Sequence, residues 1–156
     1  MTDLNLPADI SSLLAGIPYH VGFSVPDLDE AQHVLTAATG VRWLAEQFVE
    51  FPDYEVRYVY SVDGPPYTEL CEGSPGSPWY LPGSGITLHH IGYWTEDFDR
   101  DSARMVEAGL DRVWDATGSG SKAAYFRAAK GSLLELVDIS SRALLLERIE
   151  ASRTAR

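Results

Sequence analysis

The chain has 156 residues, 45% apolar and 22% charged, which suits one domain or two fused half-size modules with a real core and excludes a disordered or fibrous chain. Asp and Glu number 23 against 12 Lys and Arg, a formal charge of -11 that repels nucleic acid and anionic bilayers alike, so neither is an expected partner. No run approaches the roughly 20 apolar residues of a membrane span, the acidic start MTDLNLPADI lacks a signal-peptide layout, and Cys71 stands alone; the expectation is a cytoplasmic protein without disulfides or a cysteine-bound metal.

Residues 1–16 read as an N-terminal extension with a short helix at 4–14. Alternation of β-branched and aromatic types over 18–25 predicts a strand with His20, Gly22 and Ser24 on one face and Val21, Phe23 and Val25 on the other. Asp27 then predicts an N-cap, with Glu30 at capping-box spacing, for a helix that ends before Gly40 and turns Leu28, Ala31 and Leu35 inward. Three strand-like runs follow at 41–50, 54–62 and 66–73, completing a first module over 17–73. Residues 74–86, rich in Gly, Ser and Pro, read as a linker, in which Trp79 and Tyr80 need cover.

The order then repeats over 87–139, with a strand at 88–95, a helix from Asp97 to near Gly109 with Phe98, Ser102 and Met105 inward, and strands at 111–116, 122–128 and 132–139. The segment HVGFSVPDLD at 20–29 lies seventy positions before HIGYWTEDFD at 90–99, and TELCE at 68–72 echoes LELVD at 134–138. The last residues, 140–156, predict a helix and tail, with Leu144, Leu145 and Ile149 free to pack on the domain or on a dimer partner. The expected fold class is therefore α+β: tandem βαβββ modules forming a curved mixed sheet around a central cleft.

Corresponding positions in the modules collect a constellation: His20 and Glu69 from the first, His90 and Glu135 from the second. Two neutral imidazoles and two carboxylates suit one borderline divalent ion (zinc, nickel, cobalt, iron or manganese), because calcium prefers all-oxygen shells and soft copper prefers sulfur. Glu135 lies in the apolar run SLLELV, where a bare carboxylate costs several kcal/mol, so a metal or an Arg such as Arg57 or Arg127 must compensate it. Alternation puts His89 on the face opposite His90, as a residue that packs or supports a ligand from behind, and Cys71 on the face of Glu69, while His33 on the first helix is solvated or packed. Seven aromatic residues, Tyr54, Tyr58, Tyr60, Tyr67, Trp79, Trp94 and Tyr125, offer more ring surface than a very small acid needs and favour a bulky or ring-bearing ligand.

The βαβββ repeat, HVGFSVPDLD, Glu69, the LHHIGY run at 88–93 and the GSLLEL run at 131–136 resemble the vicinal oxygen chelate superfamily of glyoxalase I, methylmalonyl-CoA epimerase, extradiol dioxygenases and bleomycin-resistance proteins, the HHIG run being most similar to the epimerases. The resemblance implies that His20, Glu69, His90 and Glu135 are the metal ligands. It further implies a Lewis-acid isomerase, epimerase or lyase that works on a small carbonyl substrate through an enolate, often as a homodimer. It places a catalytic base at Glu55 and lets Glu135 double as a second base, with Lys122 at the repeat-related position of Glu55. The chain departs from the epimerases in carrying Glu69 where they usually have Gln, and its scattered cations make a coenzyme A thioester a poor substrate. Two alternatives remain open: an iron-dependent ring-cleaving dioxygenase, against which Glu69 argues, and a non-catalytic binder of aromatic drugs or metabolites.

Overall fold

Two copies of one strand-helix-strand-strand-strand sequence decide the architecture, and a computed structural model describes it over residues 16–116, 121–127, 131 and 133–155. The expected helix at 4–14 lies outside the described residues. In the first copy β1 (His20–Ser24) leads to α1 (Leu28–Thr39) and to β2 (Gln47–Glu50), β3 (Glu55–Tyr60) and β4 (Tyr67–Gly73). In the second, β5 (Thr87–Thr95) leads to α2 (Phe98–Glu107) and to β6 (Asp111–Asp115), β7 (Ala123–Arg127) and β8 (Leu133–Asp138). A 3-10 turn (Ile139–Ser141) then opens α3 (Arg142–Thr154).

Both module helices start where their caps dictate. The Asp27 carboxylate accepts from the Glu30 amide at 2.8 Å and that of Asp97 from the Arg100 amide at 3.1 Å, satisfying amides that a first helical turn leaves open. Gly40 ends α1 at φ 74°, a left-handed conformation that costs glycine little. Leu28 and Ala31 of α1 pack on Val25, Val59 and Leu70, while Phe98 and Met105 of α2 pack on Ala124, Phe126 and Leu136, so each helix covers the outer face of its own module.

The eight strands form one sheet in the order β2-β3-β4-β1-β5-β8-β7-β6. The modules therefore join edge to edge, through antiparallel pairing of β1 with β5, and the order reads identically outward from that seam. Helices α1 and α2 cover one face; the curled opposite face holds a third core in which Tyr19, Tyr67, Trp79 and Tyr125 are buried. The run expected as a strand over 41–50 forms a strand only at Gln47–Glu50, with an isolated bridge between Trp43 and Ser61 ahead of it. Trp79, in the expected linker, is covered by the inner core, whereas Tyr80 is exposed. Helix α3 docks on the inner side through buried Leu145 and Ile149, and the Arg148 guanidinium donates to the Ala45 carbonyl at 2.9 Å. Leu144 stays exposed. Among the described residues, no helix is long and apolar enough to cross a membrane.

Candidate metal centre

Sheet register builds the site. Gly22 of β1 pairs with Glu69 on β4 and with His90 on β5; across the seam, Gly92 of β5 pairs with His20 on β1 and with Glu135 on β8. Two rows cross the sheet, Glu69-Gly22-His90 and His20-Gly92-Glu135, each with a glycine between a carboxylate and an imidazole. The outer residues of a row stand two strand spacings apart, about 9–10 Å, so their side chains can meet only by leaning over the middle position. A Cβ on Gly22 would overlap the His90 ring, and one on Gly92 the His20 ring. The glycines of the HxG repeat are thus functional residues that sequence reasoning used only as repeat markers. Their signal was present in the coincidence of His-x-Gly in both copies.

Following the rows, the Glu69 carboxylate lies 2.9 Å from His90 Nε2 and that of Glu135 3.1 Å from His20 Nε2. The diagonal contacts are longer, 3.4 Å from Glu69 to His20 and 3.5 Å from Glu135 to His90. The two Nε2 atoms approach to 2.6 Å. All four side chains are buried, and ligand atoms of His20, His90 and Glu135 lie within 4.8 Å of one another. Glu69 and Glu135 reach an open cleft of about 110 Å³, walled by Phe51, Tyr58, Trp79 and Tyr125, while the fully buried His20 and His90 are not among its lining residues. Among the described residues, no Lys or Arg lines the cleft.

The arrangement does not include Glu55. It opens β3 on the helix-covered side with Arg57, exposed, while Val56, Tyr58 and Tyr60 take the inner face and line the cleft. Strand alternation turns the carboxylate of Glu55, the residue expected as a base, away from the four convergent groups. Arg57 is held on that outer side by Asp29, Glu46 and Glu72, so it does not compensate Glu135. Lys122 is exposed beside Asp99, and Arg127 and His33 are exposed. His89 departs from the expected alternation. Phe23 pairs with Leu88 and Gly22 with His90, leaving His89 as the extra residue of a bulge, and its ring packs against Trp79, Tyr125 and His90 on the inner side.

Burial and charge act against each other here. Burial alone would depress His20, but Glu69 and Glu135 outweigh it and carry the imidazole up to about 9. Glu69 is held well below the usual carboxylate range: burial pushes it up, and His20 and His90 more than reverse that. Burial, reinforced by the same carboxylates, raises the phenols of Tyr19, Tyr60 and Tyr125 and the Cys71 thiol, which keeps all four protonated. Burial lowers His89 to about 4, so it is neutral at pH 7. Two buried carboxylates facing two imidazoles, with no cationic side chain in the cleft lining, fit a divalent cation by charge and by donor type.

Two outcomes follow. Because the folded His20 value lies above the ordinary 6.5, its contribution to stability is complete below about pH 6.5 and lost as pH rises through about 9. The stability gap between the metal-free chain and its His20→Asn variant, read by urea unfolding, should narrow across that window; a constant gap contradicts the ion-paired site. Substituting Ala for Gly92 should push the His20 ring aside and weaken zinc binding about 10- to 100-fold while the fold persists by circular dichroism. Unchanged zinc affinity would show that the ring has room elsewhere.

The fold and sequence place the chain among known proteins. It superposes on a hypothetical protein from Bacillus halodurans C-125 with TM-score 0.65 at 20% identity, covering 78% of this chain and 92% of that one. It superposes on methylmalonyl-CoA epimerase from Mycobacterium tuberculosis with TM-score 0.59 at 22% identity, covering 78% and 86%. A variant of the Streptomyces coelicolor methylmalonyl-CoA epimerase, in complex with 2-nitronate-propionyl-CoA, gives TM-score 0.58 at 23% identity, covering 78% and 95%. At such identities the likeness is one of fold. No curated protein matches the sequence. A family model does, over residues 19–126, which is more than half the chain: the protein belongs to the Glyoxalase/Bleomycin resistance protein/Dioxygenase superfamily.

Proposed function

We propose that this chain is a metal-dependent isomerase, epimerase or lyase acting on a small, uncharged, ring-bearing carbonyl compound, with His20, Glu69, His90 and Glu135 as the metal ligands. The observation that carries the reading is the convergence of those four buried groups, two from each module, with no Lys or Arg among the described residues of the cleft lining to balance the carboxylates. A borderline divalent ion bound there supplies Lewis acidity to a substrate carbonyl. The chain's own part is to orient the substrate and to move a proton from the carbon beside that carbonyl. Glu69, held well below the carboxylate range, is a poor proton acceptor. Glu135, which also reaches the cleft, is the carboxylate we assign as base. The aromatic wall of Phe51, Tyr58, Trp79 and Tyr125 receives a flat apolar group and limits water at the reacting carbon. A coenzyme A ester, which is what the Streptomyces relative holds, brings phosphates, and among the described residues the cleft lining has no Lys or Arg to meet them.

The test combines metal analysis with proton exchange. Purified protein should carry about one divalent ion per chain and, in deuterium oxide, exchange the C–H beside the carbonyl of an aryl-substituted 2-hydroxyketone. Exchange should fall about 100-fold or more in Glu135→Gln at matched metal loading and stay unchanged in Glu55→Gln. Exchange that survives Glu135→Gln removes it as base. The same aromatic wall favours a second reading, a ligand-sequestering module without chemistry, which tight binding of an aromatic ligand to metal-free, exchange-inactive protein would select.

A further inference from the structure

Helix α3 builds a second chamber against the cleft. Asp138, the last residue of β8, accepts from the Ser140 amide at 3.0 Å, and the 3-10 turn that it caps returns the chain over the inner face. Ser141, Leu144, Leu145 and Arg148 then share one helix face at i, i+3, i+4 and i+7, and all four line a chamber of about 100 Å³ between α3 and the sheet. The sheet side is walled by the rings of Tyr19, Tyr58, Tyr60 and Trp94, of which the three tyrosines also line the cleft beside Glu69 and Glu135. Tyr19 stacks on Trp94 and meets the His20 ring, with ring centroids 3.8 and 4.2 Å apart, so the chamber begins one ring away from the convergent groups. Its polar groups are few. Ser141 donates to Ser121 at 2.7 Å. Half-buried Arg148 donates to the Ala45 carbonyl, and among the described residues no carboxylate pairs with it. A guanidinium has five N–H donors, so Arg148 brings unspent donors to a largely apolar enclosure.

We propose that this chamber is the distal subsite of the cleft, taking an aromatic ring with a neutral oxygen substituent, and that Arg148 selects the substituent by donating to it. The proposal deepens the function assigned above and rests on that reading only for the carbonyl at the other end of the ligand. The ring lies between Leu144 and Leu145 on the helix and the tyrosines on the sheet, and its oxygen reaches the guanidinium. Charge decides against an anionic substituent, which would have to pass Glu69 and Glu135 in a chain of formal charge -11. A neutral oxygen needs only one N–H, and a charged donor holds it more strongly than a neutral donor does. A ring without the oxygen strips water from the guanidinium and gives nothing back, and this penalty supplies the selectivity. The duplicated halves surround the convergent groups, whereas β4 is followed by the linker and β8 by α3. Selectivity for the far end of the substrate therefore resides in an element outside the repeat.

The experiment compares two ligands of one shape by calorimetry, 2-hydroxy-1-(4-methoxyphenyl)ethanone and its 4-ethylphenyl analogue, which differ by one oxygen. The parent chain should bind the methoxy compound about 10-fold more tightly. In Arg148→Met, which keeps an apolar stem of similar length, the two affinities should become equal, and Arg148→Lys should recover part of the preference. A guanidinium that only fastens α3 to Ala45 predicts something else: its loss weakens both ligands alike and leaves the preference in place, which overturns the proposal. Equal affinities in the parent chain, or binding of neither compound, overturn it too, as does tighter binding of the 4-carboxyphenyl analogue than of the methoxy compound. Should Arg148→Met fail to fold, Leu144→Trp decides, because it fills the chamber and leaves Arg148 on Ala45. It should weaken both ligands about 10-fold or more, and unchanged binding would remove the chamber as a subsite. Oxygen-selective binding without deuterium exchange would contradict the isomerase reading and support the subsite, whereas exchange with no preference between the two ligands contradicts the subsite alone.

Discussion

The structure depends on two glycines that let side chains pass over the backbone. In each row of the seam, a carboxylate and an imidazole two strands apart meet above a residue with no Cβ, and a methyl group at either glycine would occupy the place of a histidine ring. The pairing crosses the modules, Glu69 with His90 and Glu135 with His20, because each row begins on the last strand of one module and runs through the seam. One consequence is that neither half carries a complete site. The edge-to-edge joining of β1 with β5 is both the fold's central hydrogen-bonded contact and the act that assembles the four groups.

Four polar groups buried at the centre of a sheet stand against the hydrophobic logic of the surrounding core. A desolvated carboxylate is tolerated only with a compensating charge or donors, and among the described residues the histidines are what these carboxylates meet. The molecule answers by lifting His20 and depressing Glu69. A divalent ion would take over the same compensating role with better charge balance. The aromatic wall around the floor keeps the local dielectric low, which strengthens whichever cation is present.

Much of this was legible in the sequence because it is duplicated. Two copies of His-x-Gly followed by a capping Asp marked the strand and the helix start, and the repeat placed His20, Glu69, His90 and Glu135 at corresponding positions. Two features escaped, the first because alternation gives only relative faces. Glu55 and Arg57 do share a face, as expected, but it is the outer one, a fact visible only once Val59 is seen packing under α1. His89 escaped because one extra residue in β5 cancels the alternation at that position, and a bulge leaves no trace in a single run of residues. Trp79 was legible as a residue needing cover but not as part of the cleft wall, since nothing local tells a linker which core it crosses.

Anomalous diffraction from crystals soaked with zinc or cobalt, recorded at the absorption edge of the added ion, tests the central claim most directly. The account predicts one strong peak on the seam, about 2.0–2.2 Å from the Nε2 atoms of His20 and His90 and from oxygens of Glu69 and Glu135. A peak elsewhere, or no peak at that place with the ion in excess, would contradict it and leave a superfamily fold whose four buried groups serve only one another.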